Sequence, residues 1–467
     1  MKKLYFMAVA AIAALSSCTS DNDLEMNKNT GKEALTFTAT MEDAGEDTRA
    51  TFNTTYKCAA WEVGDQISIN GKAYIAQSAG TTTTFKATTT GQEASGPKFS
   101  AYFACEYDGE TATLPSSITE TWKEGQFNMP MYATSTTTDL AFKNLCGVLK
   151  ITVSQSQMAK VKSITVSSAN CATSGAFTVN EDAAVLTDAS TVANTVTVTY
   201  SEAVTVAEAG TAFYVAVPAQ TYRNLQIAVS DGTHTKGMCT KYGVDVVIGR
   251  NKIYPITFTQ NAAYANGIGY VRCVQLWDGG PKFAEINMGA SSPEEYGDYY
   301  AWGETETKDI YDWSTYKWCN GDYNNLTKYN DDSYYGTVDN KTVLDPEDDV
   351  AQVKWGGNWR MPMDAEIYEL RENCIWEWTT QNGKNGYKVT SKKNGNSIFL
   401  PAAGRCGGGD VSGQGGGDVS GQGDDGYYWL STPRHSDAFD LYFDSGGQYS
   451  YGAWRYSGFS VRAVLNK

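Results

Sequence analysis

Histidine is nearly absent from this 467-residue chain: only His234 and His435 are present. That leaves little room for His-based metal centres or for Ser-His and Cys-His nucleophile pairs. Positive charge is also short. Lysine and arginine number 37 against 53 acidic residues, a formal net charge of −16, so the chain repels phosphate backbones and nucleic acid is excluded as a partner. Apart from one apolar run near the start, no stretch approaches the ~20 apolar residues of a membrane helix. Cysteine pairs of the CxxC type are missing too. Cys58, Cys105, Cys146, Cys171, Cys239, Cys273, Cys319, Cys374 and Cys406 lie far apart. Zinc and thioredoxin-type chemistry is therefore not signalled, and the odd count leaves at least one thiol unpaired within the chain. No cofactor or metal is expected.

What is present is export machinery, β-structure and aromatic rings. Lys2 and Lys3 precede an apolar run, Leu4 to Leu15, and then Leu15-Ser16-Ser17-Cys18. This is the layout of a secretory signal. Its ending resembles a bacterial lipobox, which implies lipidation of Cys18 and an outer-membrane lipoprotein precursor over residues 1–18. The acidic stretch after it, within a flexible tether at 19–33, is similar to the surface-export tag of Bacteroides-type lipoproteins.

From Ala34 to about Gln260, alternating or β-branched runs are separated by Gly, Asn, Asp and Pro. They predict strands at Gly147–Val153, Lys162–Ser167, Thr195–Tyr200, Phe213–Val217 and Leu225–Val229. Pro255 marks its run as an edge strand or bulge. Regular short strands without helical periodicity point to β-sandwiches.

Several motifs here resemble Bacteroides fimbrillin-like pilus proteins: Thr48-Arg49-Ala50-Thr51-Phe52, Trp61-Glu62-Val63-Gly64-Asp65, Met129-Pro130-Met131, Ala141-Phe142-Lys143-Asn144-Leu145-Cys146, Tyr214 to Pro218, and Gly249-Arg250-Asn251-Lys252-Ile253-Tyr254. The resemblance implies two β-sandwich domains in series, 34–157 and 158–260. It also implies cleavage between Arg49 and Ala50, followed by strand addition from a neighbouring subunit. The alternative for Arg49 is an uncut loop arginine on a lipid-tethered monomer.

Residues 261–269 contain two glycines and no apolar period, and are expected to be a linker. Beyond them lie Trp355-Gly356-Gly357-Asn358-Trp359-Arg360-Met361-Pro362, Gly426 to Pro433, and the closing Gly458-Phe459-Ser460-Val461-Arg462. These resemble the Fibrobacter-type major paralogous domain with a C-type-lectin-like fold. The resemblance implies a mixed α+β binding domain over 270–467, after an all-β stem. Asp364 to Cys374 reads as a helix presenting Ile367, Leu370 and Cys374 on one face. Its N-cap position holds Met363, which cannot accept a backbone N–H.

The densest signal is Tyr427–Phe459, where 11 of 33 residues are aromatic against 12% overall, among Ser, Gly, Asp and Arg. Rigid rings with small polar residues are the composition of a recognition surface. The alternation predicts Phe439, Leu441, Phe443, Phe459 and Val461 inside. It turns Asp440, Tyr442 and Asp444 the other way. The lectin-like resemblance sorts the rest by role and implies Arg434, His435, Ser436, Asp440, Tyr442, Asp444, Gln448, Tyr449, Tyr451, Trp454 and Tyr456 as the ligand-binding face. Rings stack on sugar C–H faces and carboxylates accept from hydroxyls, but the same groups suit a protein ligand.

Other signals carry less. Gly407–Gln414 is repeated as Gly415–Gln422 without the helix a phosphate loop requires. Asp345, Glu347, Asp348 and Asp349 are hard-oxygen donors, but Asp348 and Asp349 also suit a helix start. Glu304 with Glu306, or Asp424 with Asp425, could form a hydrolase pair, although no spacing singles one out. The expectation is a non-catalytic surface adhesin at a pilus tip; the alternatives are a lipid-tethered binding lipoprotein and, more remotely, a glycan-processing enzyme.

Overall fold

The computed structural model describes residues 35–42, 60–187, 192–407 and 419–466. Cys18, Arg49, Ala50, the tether, Cys58 and most of the duplicated glycine-rich repeat lie outside these residues. Strands dominate, and the described helices are two short ones, α1 (Val350–Trp355) and α2 (Asp364–Asn373). No described helix is long and apolar enough to cross a membrane. The eight cysteines among the described residues are all free thiols.

Seven strands between Thr36 and Asn144 close into a barrel, where two facing sheets were expected. Their alternation is strict: Asp139–Asn144 buries every second side chain. Asn70 and Gly71 both take positive φ between Gln66–Ile69 and Lys72–Ala76, the geometry that a two-residue hairpin with the right twist demands. Trp61 is buried in the barrel and meets Phe85, Phe103 and Phe142 edge-on at 5.0–5.3 Å.

The strand Thr36–Met41 closes the barrel. It pairs antiparallel with Thr82–Ala87 and parallel with Asp139–Asn144, and turns Phe37, Ala39 and Met41 inward. At its end, Arg250 clamps Glu42 in a bidentate pair, Nη1–Oε2 2.6 Å and Nη2–Oε1 2.8 Å. Nη1 also donates to the Asn144 carbonyl at 2.8 Å. The motif around Arg250 is thus a fastener for the first strand.

Cys146–Val153 runs from the barrel core into a second one. Cys146 and Val148 face the first, while Leu149, Ile151 and Val153 face the second. The second core lies between the sheet of Cys146–Val153, Thr211–Pro218 and Ile253–Thr257 and the sheet containing Lys160–Ser168, Thr195–Thr205 and Leu225–Ser230. All five runs singled out by periodicity are strands, each extended by a few residues at its ends. Ile253–Thr257 sits at its sheet's edge, where Pro255 forfeits no ladder hydrogen bond.

The 261–269 linker is corrected. Ala262–Ala265 is a strand that pairs with Thr235–Cys239 on one side and Gly269–Gln275 on the other. Gly267 and Gly269, both at positive φ, make the turn between them. Small alanines gave no period to read, and glycines needed for a hairpin looked like punctuation. One ten-stranded sheet consequently crosses from the second core into the C-terminal region and ends on the closing strand Val464–Leu465 and on Trp359–Arg360. Side chains seal the crossing. Tyr270 N donates to Gln226 Oε1 at 3.0 Å, and the Cys239 thiol donates to the Tyr270 carbonyl at 3.0 Å. Gly237 has no room for a Cβ, which would overlap the Tyr270 ring.

In the C-terminal region α2 buries Ile367 and Leu370, and Cys374 follows them. Met363 caps nothing with its side chain, but Glu366 reaches back to accept from Met363 N at 2.9 Å, which is half of a capping box. Asp349 is the N-cap of α1, accepting from Ala351 and Gln352, and it also binds Met361 N. Asp345 and Asp348 pair with Lys328. The acidic cluster is therefore occupied by a helix start and a lysine.

Candidate ligand-binding face

Three consecutive strands carry the aromatic tail: Gly426–Arg434, Asp437–Asp444 and Gly447–Trp454, paired antiparallel as two hairpins. The first turns at His435, which takes a positive φ of 49°, and its carbonyl is fixed by Arg455 Nη2 at 2.6 Å. The second turns at Ser445-Gly446, where Asp444 Oδ1 accepts from Gly446 N (2.8 Å) and Gly447 N (3.1 Å). This side chain closes its own turn.

One face of these strands turns Leu441 and Phe443 onto α2 and the sheet Cys374–Gln381, Lys384–Ser391 and Ser397–Pro401, with Phe439 half-buried beside them. The other face carries the candidate site. Tyr442, Tyr449 and Tyr451 form a tier of near-parallel rings. Tyr442 and Tyr449 are 6.2 Å apart at 20°, and Tyr449 and Tyr451 are 5.5 Å apart at 13°. Tyr449, Tyr451 and Trp454 are 40%, 52% and 49% exposed. Rings this open on a paired strand are held by the backbone yet free to meet a partner.

Beside the tier is a cavity of about 500 Å³. Tyr427, Tyr442, Tyr451, Trp454 and Phe459 form its apolar walls, and Arg405, Asp437, Asp440 and Ser457 bring polar groups. The Arg405 guanidinium lies 5.2 Å from the centre of the Tyr427 ring. Asp440 is only 2% exposed, and its Oδ1 has no hydrogen-bond partner. Burial, reinforced by Asp437, pushes its carboxyl up to about 7 against the opposing pull of its own backbone N–H and of Arg405 and Arg434. Burial likewise raises Asp437, with Arg455 and Arg434 opposing. Such perturbed acids in a concavity mark candidate sites.

The eleven residues expected on this face therefore divide. Asp440, Tyr442, Tyr451 and Trp454 line the cavity, and Tyr449 extends the tier. Asp440 is a correction: it was expected at the surface but is buried, because Phe459 and the Tyr427 ring close over that side of the sheet. Tyr456 is a second correction. At 3% exposed it packs on Trp313 at 5.1 Å inside a separate core. Arg434 lies over Phe439, 5.4 Å from the ring centre. His435 faces Asp331 at 3.3 Å, and Asp444 holds its turn. Ser436 and Gln448 are half-exposed and do not line the cavity. Phe459, expected as scaffold, is buried and also forms cavity wall.

Arg405 and Asp437 were missed. Arg405 is remote in sequence, and only its strand pairing with Val419–Gln422 and Gly426–Arg434 brings it here. A second aromatic segment was also missed. Residues 311–335 hold eight aromatics in 25 positions, a density as legible as the tail's. Its rings run on from Trp454 through Tyr456, Trp313 and Tyr323 to Tyr335, in steps of 5.1–6.5 Å. Tyr323 and Tyr334 are exposed.

Two arginines are structural. Arg455 is buried and donates to the carbonyls of Asp437, Lys328, Tyr329 and His435. Arg462 is buried and donates to Asn287 Oδ1 and the carbonyls of Ala284, Glu285 and Phe399. Arg455 thereby ties the first hairpin to Lys328 and Tyr329, and Arg462 ties the closing segment to Ala284, Glu285, Asn287 and Phe399. Of the carboxylates weighed as hydrolase pairs, Glu304 binds Lys308 at 2.9 Å and Glu306 binds Lys354 at 3.0 Å, and Asp425 accepts from the Tyr442 hydroxyl at 3.4 Å.

No family model matches the chain, and no curated protein matches it. Among solved structures, it is similar to a candidate cell adhesion protein from Bacteroides ovatus at 12% identity and TM-score 0.30, over 48% of this chain and 91% of that one. A candidate cell adhesion protein from Bacteroides uniformis matches at 16% identity and TM-score 0.29, over 50% and 95%. A fimbrial protein from B. ovatus matches at 10% identity and TM-score 0.19, over 93% and 99%. At these scores the likenesses assign neither fold nor function.

Proposed function

We propose that this protein is a non-catalytic surface adhesin. In this reading a stem of two β-domains in series carries a C-type-lectin-like α+β head, which binds a glycan or protein ligand. The observation that carries it is the exposed tier of Tyr449, Tyr451 and Trp454 beside the Asp440 cavity. Large rigid rings around a concavity supply contact area at low entropic cost, and the buried Arg455, bound to the carbonyls of His435 and Asp437, keeps the first hairpin preorganised. The test is an array of glycans and host proteins probed with the full chain and with the Tyr449→Ala/Tyr451→Ala/Trp454→Ala variant. Loss of the wild-type signal is expected; unchanged binding would place the site elsewhere.

We further propose that the stem joins a pilus, at its tip, by strand exchange. The support is the position of Thr36–Met41, which lies upstream of Arg49 and closes a barrel whose interior it fills with Phe37, Ala39 and Met41. Withdrawing such a strand leaves two open edges and an apolar groove, the setting for β-augmentation. Surface protein whose first residue is Ala50 is the expected result. A first residue at lipidated Cys18 would favour the second reading, a tethered binding lipoprotein outside any pilus.

A further inference from the structure

A cavity walled by rings and holding a buried acceptor with no hydrogen bond restricts what can enter it. The Asp440 carboxylate oxygen Oδ1 is buried without a partner. A buried acceptor in that state lacks the hydrogen bond that would offset its desolvation, so it favours a ligand that donates one. Asp437 faces Asp440 along its own strand, Arg405 from Ala403–Cys406 and Arg434 from Gly426–Arg434. The remaining titratable groups on the cavity are the phenols of Tyr427, Tyr442 and Tyr451.

Two carboxyls, Asp437 and Asp440, and one guanidinium, Arg405, therefore line the cavity, with Arg434 near enough to act on both carboxyls, and this balance is selective. An ammonium ligand drawn to Asp440 must approach Arg405. A carboxylate or sulfate drawn to Arg405 must approach Asp440 and Asp437. A divalent cation drawn to Asp440 would meet the Arg405 guanidinium in the same cavity and the charge of Arg434 nearby. An uncharged ligand with both donors and acceptors meets no like charge, and flat C–H faces match the Tyr451 and Trp454 rings. Polyhydroxylated six-membered rings combine these properties.

We propose that the cavity is a subsite for one uncharged sugar residue of a glycan, held directly by side chains rather than through a metal ion, with Asp440 accepting from one ring hydroxyl and Arg405 donating to a neighbouring oxygen. This rests on the reading that the aromatic face is the binding surface. It narrows that reading to a chemistry and gives Asp440 and Arg405 separate roles.

The experiment uses the full chain in EDTA. The probes are immobilised neutral glycans ending in glucose, galactose, mannose or N-acetylglucosamine, their sialylated and sulfated counterparts, and lysine-rich peptides. Capture by at least one neutral glycan is expected, with tenfold or greater loss of affinity in Asp440→Asn and in Arg405→Ala. Asp440→Asn removes a buried charge, so its thermal midpoint is expected to hold or rise; weaker binding by an equally stable protein separates contact from scaffold. Binding that needs Ca²⁺, binding only to charged probes, no capture by any probe, or unchanged affinity in Asp440→Asn each overturns the sugar subsite. If a protein or charged probe is captured instead and the triple aromatic variant abolishes it, the aromatic face stands and only the ligand class is wrong. If the triple variant leaves all capture intact, both readings fail together.

Discussion

Replacing Arg250 with alanine is expected to loosen the first strand of the barrel without unfolding the chain. The guanidinium makes two charge-assisted bonds to Glu42 and one to the Asn144 carbonyl, with its own and the Glu42 side chain only 23% and 19% exposed. Breaking a fully buried pair costs ~3–5 kcal/mol. Here water can still reach the stranded carboxylate, and Asn144 N continues to donate to Glu42 Oε2 at 2.9 Å. Both considerations reduce the cost to about 2 kcal/mol. If that cost falls on local opening of Thr36–Met41, its amides should exchange with solvent about 30-fold faster, since 1.4 kcal/mol is tenfold in an equilibrium. Native-state hydrogen exchange reads this directly, with Lys160–Ser168 in the second core as internal control. Glu42→Gln should produce a smaller acceleration at the same amides. Uniform acceleration in both strands would mean that the pair stabilises the whole molecule. Acceleration below about threefold, on the same energy scale, would mean that it fastens nothing.

Three further outcomes follow from the described contacts. Asp440 is held up to about 7 by burial, while an unfolded aspartate titrates near ~3.9. The fold therefore binds more protons than the unfolded chain between those values, and stability falls as pH rises through that window, by up to ~1.4 kcal/mol per unit from this group. Asp440→Asn should make denaturation midpoints less pH-dependent from pH 4 to 7; an unaltered slope would refute the assignment. Gly237→Val should drive a side chain into the Tyr270 ring at ~1–3 kcal/mol, with partial recovery when Tyr270→Ala is added, both measured by urea unfolding. Met363→Thr should supply the missing cap acceptor of α2 and raise stability by about 1 kcal/mol; a lower thermal midpoint would show that Met363 packs better than it caps.

The strands of the second core and α2 were legible because their side chains obey a period that burial enforces. Pro255 was informative for the same reason: a residue without an N–H can sit only where no partner strand needs one. What escaped depends on contacts that local sequence does not encode. Ala262–Ala265 carries too little apolar contrast to announce a strand, and its pairing is set by Gly237, far upstream. Asp440 falls on the polar side of a correct alternation, yet it is buried there, in a cavity it shares with Tyr427 and Phe459. Arg405 reaches the cavity only through sheet pairing. The ring-rich 311–335 segment was visible in composition alone, but its joining to the tail's rings depends on the fold.

The sheet that crosses from stem to head leaves no swivel between them. In the proposed adhesin a bound ligand would pull on the aromatic hairpins, and the backbone bonds of Tyr427 and Trp429 with Ser460 would pass that load to the segment leading into the closing strand Val464–Leu465. From there it reaches Ala262–Ala265 and the second core through sideways hydrogen bonds as well as along the covalent chain. In the proposed adhesin, the direction of the aromatic face would thus follow the direction of the second core, and a bound ligand would be oriented as well as held.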